Sequence, residues 1–161
     1  SFRSGRWVFA HNGTIDKPQT LLKELDEEHR AAVLGDTDSE VAFHRLLQAI
    51  DDASGDVAAA VAAVAAKIPD DLFNFLLADG RNLYAYRQGI GLHYVDRSPG
   101  NEMPRGQGEN VRTLLKSKAL LGQRAALVCS EPLTSENWVE IPNRHLLSVG
   151  ADLRREVVSI R

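Results

Sequence analysis

The chain has 161 residues, 43% of them hydrophobic and 25% charged, and a formal net charge of −3. This is the profile of one globular domain with a real core: no basic run suits nucleic acid, and no apolar run reaches the ~20 residues of a membrane span. A single cysteine, Cys129, excludes an internal disulfide and fits a reducing compartment, so a cytoplasmic location is expected.

The chain opens on Ser1 in place of Met and enters a strand almost at once, which reads as a chain cut into. Trp7, Phe9 and His11 share one face of that strand, and Val8 and Ala10 share the other. Both faces are mostly apolar, so the strand is expected to be buried, with Asn12-Gly13 ending it as a turn. Asp16 and Pro18 open a helix whose apolar spacing runs to about residue 33, where Gly35 breaks the pattern. "TDSE", residues 37–40, fits a capping box in which Thr37 accepts from the chain and Glu40 reaches back. Phe43, Leu46, Leu47 and Ile50 then follow at helical spacing. Residues 56–68 form an alanine-rich helix with a seam of Val57, Val61, Val64 and Ile68, stopped by Pro69.

After residue 70 the period changes to two. "LFNFLLADGRNLYAYR", 72–87, predicts a hairpin turning at Asp79-Gly80, and residues 91–96 predict a third strand. Residues 97–110 read as a surface loop, and 111–121 are ambiguous between helix and strand. Residues 124–130 predict a buried strand, and 145–150 and 156–161 two more. Helices first and strands after, with no repeat or linker, predict a single α+β domain over 1–161.

Two short stretches carry the chemistry. Alone, "HNG" is a turn and "GDTDSE" a capped helix start. In order, "FAHNG" at a strand end followed one helix later by "GDTDSE" resembles the class II glutamine amidotransferases, which are N-terminal-nucleophile hydrolases. "DLFNFLLADGRNLYAYR" is similar to the family's central hairpin. "ALVCSEPLTSENWVEIPNRHLLSVG" is similar to its late strand, Ser-Glu-Pro-Leu turn and closing strand. The likeness is greatest to the compact stand-alone branch that includes the γ-glutamyl hydrolase of ergothioneine biosynthesis.

The resemblance implies an αββα four-layer sandwich, here without its N-terminal strands, so that 1–161 is the C-terminal portion of such a domain. It implies amide hydrolysis, of glutamine or of another γ-glutamyl amide. Asn12 and Gly13 would donate to the oxyanion of the tetrahedral intermediate, where each preorganised donor is worth ~3–4 kcal/mol of barrier. Asp38 would hold the substrate α-ammonium, and His11 would line the substrate site. Thr37 and Glu40 are assigned mainly to capping. Neither a metal nor an organic cofactor is implied. The partner is a small-molecule substrate, with no nucleic acid and no membrane. A homo-oligomer, or a separate chain carrying the upstream half, stays open.

The family attacks with an N-terminal cysteine whose own amine is the base, forming a γ-glutamyl thioester. No such cysteine is in this sequence. "SFRSGRW" resembles a family segment many tens of residues after the nucleophile, so Ser1 is not read as one. Cys129, in an apolar strand, reads as an inert thiol. Residues 1–161 alone are therefore expected to be inactive. The alternative reading is a non-catalytic module that binds glutamine or serves as a scaffold on the same fold.

Overall fold

A computed structural model describes residues 1–98 and 124–161. The loop expected from 97 falls outside them beyond Arg97 and Ser98, and the ambiguous segment 111–121 lies wholly outside them.

Among the described residues the strands are β1 (Phe2–Ser4), β2 (Trp7–Thr14), β3 (Leu72–Ala78), β4 (Leu83–Arg87), β5 (His93–Arg97), β6 (Ala125–Cys129), β7 (Val139–Glu140), β8 (His145–Val149) and β9 (Arg155–Ser159). The helices are α1 (Pro18–Leu22), α2 (Glu27–Ala31), α3 (Asp38–Asp52) and α4 (Val57–Ala65). Six strands form one sheet in the order β1-β2-β3-β4-β8-β9, and three form a second in the order β6-β5-β7. Every pairing is antiparallel. This is the expected α+β class.

Helices cover one face of the larger sheet. Phe9, Phe73, Phe75, Leu77 and Tyr86 meet Phe43, Leu46, Ile50, Val61 and Val64 in a dense core, with the Phe9 and Phe43 rings stacked at 5.2 Å. The alanines of α4 bring it close against α3, where Ala60, Val61 and Val64 have almost no exposure. On the opposite face, a smaller core of Ala85, Leu147 and Val149 packs on Leu92 and Ile141, with Tyr94, Ala126 and Val128 from the second sheet against it. The described layers are thus helix, sheet, sheet; the expected second helical layer is not among them.

Several local expectations change. Asn12-Gly13 is not a turn: β2 runs on to Thr14 because Asn12, Gly13 and Thr14 pair with Asn74, Phe73 and Leu72 of β3. Nor is β2 buried on both faces. Phe9 is 0% exposed but Val8 is 45% exposed, because the second sheet packs over β3, β4 and β8 and leaves that face of β2 open. β6 is only half-buried, since it is the edge of the smaller sheet.

The single helix expected to residue 33 is two short helices. Asp26 restarts the second by accepting from His29 N–H at 2.8 Å, while the Arg30 guanidinium donates to the carbonyls of Leu22, Lys23 and Leu25 at the end of the first. Thr37 caps α3 as expected, accepting from Glu40 N–H at 3.3 Å. Glu40 reaches past the cap, though, and accepts from the N–H groups of Leu34 and Gly35 at 3.0 and 2.8 Å. The hairpin loop spans 79–82, with Asp79 Oδ1 accepting from the N–H groups of Arg81 and Asn82 and Gly80 at φ +85°.

Candidate functional site

Strand alternation divides the candidate residues of β2. Phe9, His11 and Gly13 face the helices; Ala10 and Asn12 face the side of the second sheet. The Asn12 side chain is exposed, and its Nδ2 donates to Ser130 Oγ at 2.9 Å, a bond across the gap between the two sheets. Beside this bond lies a cavity of ≈ 290 Å³ whose wall includes Ala10, Asn12, Phe75, Leu76, Leu92, Val128, Cys129 and Ser130.

Asn74 also borders this cavity, yet it is structural. Its Nδ2 donates to the carbonyls of Ile90 and Gly91 at 2.9 and 3.3 Å, and its Oδ1 accepts from Gln88 N–H at 2.8 Å. It thereby fixes the turn leading to Leu92. The Asn12 amide has two N–H donors and gives only one to Ser130. Cys129 is half-buried, and burial pushes its thiol up, so the protonated form is favoured.

Asp38 lies on the helix side of the sheet, as the first residue of α3. Its Oδ2 accepts from Ile15 N–H at 2.8 Å, and Ser39 Oγ donates to its Oδ1 at 3.1 Å. Burial works to raise its pKa, but these hydrogen bonds outweigh burial and hold the carboxyl below the usual carboxylate range. Ile15 directly follows β2, so the carboxylate is tied to the strand end that carries Asn12. Asp38 and Gly13 do not border the cavity beside Asn12.

Gly13 is required for a reason the turn reading misses. A Cβ there would lie 1.9 Å from the Leu72 carbonyl oxygen and 2.9 Å from His11 Nε2. Close approach of β3, not a positive φ, excludes every other residue. The His11 ring is taken at both nitrogens, with Nδ1 2.8 Å from Ser39 Oγ and Nε2 3.2 Å from Leu72 O. Both ring nitrogens thus have partners among the described residues, and His11 is also one of the residues that line the cavity beside Asn12.

Sequence reasoning missed Ser130 and Asn74. The first lay in the Ser-Glu-Pro-Leu turn, noted without a role. The second was signalled by an amide inside the apolar run "LFNFLL".

Comparison with known proteins agrees along the chain. A model of class-II glutamine amidotransferases matches residues 1–156. The candidate glutamine amidotransferase YafJ of Escherichia coli (strain K12) is 31% identical over 145 residues, which cover 84% of this chain and 54% of YafJ. The uncharacterised protein MJ1515 of Methanocaldococcus jannaschii is 29% identical over 154 residues, covering 87% of this chain and 40% of MJ1515. The chain thus spans about half the length of these curated relatives, or less.

Among solved structures, a glutamine aminotransferase class-II domain protein of Silicibacter pomeroyi superposes with a TM-score of 0.65 at 23% identity, over 99% of this chain and 70% of that one. The glutamine phosphoribosylpyrophosphate amidotransferase of Bacillus subtilis superposes at 0.62 with 13% identity, over 99% of this chain and 31% of that one. These superpositions establish the fold as the N-terminal-nucleophile type. With the family model matching nearly every residue, the chain belongs to the class II glutamine amidotransferases.

Proposed function

We propose that this domain takes part in hydrolysing the side-chain amide of glutamine or of a related γ-glutamyl amide, releasing glutamate and ammonia or an amine. The observation that carries the reading is Asn12: an exposed amide at a cavity mouth, oriented by Ser130 at 2.9 Å, whose second N–H has no partner among the described residues. As negative charge develops on the carbonyl oxygen, that N–H and a backbone N–H at Gly13 are donors for it. Asp38 stands outside the cavity wall, but it is tied to the end of the same strand through Ile15 N–H and held ionised by its hydrogen bonds, which suits the α-ammonium of a substrate that reaches past the strand end. The attacking group would be a cysteine thiolate outside residues 1–161. It adds to the amide carbon, ammonia leaves with a proton from the cysteine amine, and water then cleaves the thioester. The lone, half-buried thiol of Cys129 fits a reducing, cytoplasmic setting.

A second reading rests on that same thiol. Burial favours its protonated form, a poor nucleophile, which suits a module that binds glutamine without cleaving it.

The test is ammonia release from glutamine by the full-length protein. Asn12→Ala should lower kcat by about 10²–10³ with KM little changed, while Asp38→Asn should raise KM. Unchanged kinetics in both variants would overturn the catalytic reading. Glutamine binding by calorimetry without any ammonia release would establish the second.

A further inference from the structure

We propose that His11 is a positioning residue, which sets the placement of Asn12–Gly13 relative to Asp38 by bridging β2 to the start of α3. The inference rests on the site reading above and assigns His11 no contact with substrate.

The bridge has two ends. The Leu72 carbonyl can only accept, so His11 Nε2, 3.2 Å away, carries the ring proton. At the other end Nδ1 lies 2.8 Å from Ser39 Oγ, and in the neutral ring it competes with Asp38 Oδ1 for the one hydroxyl proton of Ser39. Ser39 follows Asp38 directly, and its Oγ lies 3.1 Å from Asp38 Oδ1. One imidazole thus joins the first residue of β3 to the helix turn bearing the carboxylate.

The ring has little room to turn. Its centroid lies 5.5 Å from that of Phe73, and it stacks with Phe9 at 6.4 Å. Its Nε2 also lies 2.9 Å from where a Gly13 Cβ would be, so the His11–Leu72 bond passes over the glycine. An apolar side chain could fill this volume, but it would leave Ser39 and Leu72 without their partner.

Alternation explains how the effect travels. Asn12 projects from the opposite face of β2, so a shift of the His11 backbone moves the Asn12 amide directly. Catalysis is sensitive on this scale, since a misplacement of about 1 Å can cost ~10²-fold.

The experiment uses the full-length protein and four variants: Ser39→Ala, His11→Gln, their combination, and Asn12→Ala as a control. Ser39→Ala removes the far end of the bridge from a half-buried position and leaves the ring in place, which protects the test against misfolding of the His11 variant. Measured are kcat and KM for glutamine per folded molecule, glutamine affinity by calorimetry, and Tm. Both single variants should lower kcat/KM by about tenfold or more, and the double variant should lose no more than the worse single, as two ends of one link must.

A purely structural role would lower Tm and leave the kinetic constants per folded molecule within twofold of the parent. That result, beside a large loss in Asn12→Ala, would overturn the positioning role alone. No loss in Asn12→Ala would overturn the site reading and the positioning role together.

Discussion

The two faces of the six-stranded sheet are built differently. On the helix side, aromatic rings from β2, β3 and β4 pack on α3 and α4, with His44 and Arg45 among the few polar side chains buried there. On the other side a few aliphatic residues join the sheets, and next to them lies a cavity beside the Asn12–Ser130 hydrogen bond. The first face holds the molecule together. The second leaves room for a ligand, because a fully packed interior has no space for one and no spare donor to offer it. β2 belongs to both, burying Phe9 on one side and presenting Asn12 on the other.

Truncation of the aromatic core should be the most costly change. Phe73→Ala, fully buried among Phe75, Tyr86 and His11, should destabilise by about 3–5 kcal/mol in denaturant unfolding. Ile141→Ala, equally buried but between the sheets, should cost about 2–3 kcal/mol, since a loosely filled interface can collapse into the space. If Ile141→Ala proved the more damaging of the two, the contrast between the faces would fail.

The smallest effect concerns pH and the helix layer. Burial disfavours the charged form of His44, the positive field of His29 acts in the same direction, and Glu40 opposes both; the result is a lowered pKa. A folded-state value below the unfolded value of about 6.5 means that the neutral ring stabilises the fold. That contribution is complete above pH ~6.5 and is lost as pH falls through the folded value. Melting curves between pH 7 and pH 5 should show a decline that His44→Gln reduces. An equal decline in the variant would assign the acid sensitivity elsewhere.

Legibility in the sequence followed the range of the interactions involved. α3 was readable because its cap, Thr37, and its apolar face, Phe43 to Ile50, are local. The hairpin of β3 and β4 was readable for the same reason. The break between α1 and α2 was not, because it depends on a guanidinium reaching back to three carbonyls. The open face of β2 was not, because only the placement of the second sheet exposes it. Asn12, Gly13 and Asp38 were reached through resemblance, and no pattern within the chain links them. The bonds that fix them span 118 residues from Asn12 to Ser130 and 28 from His11 to Ser39. Periodicity within single elements carries no information about such distances.

The Leu72 carbonyl has a consequence for how this domain can change over generations. Because that oxygen occupies the space of any side chain at position 13, a descendant that abandoned chemistry altogether would still have to keep glycine there. Position 12 is under no such constraint: its side chain stands in the open, and drift there would leave the fold intact. A lineage that has given up amide cleavage should therefore retain its glycine and lose its asparagine.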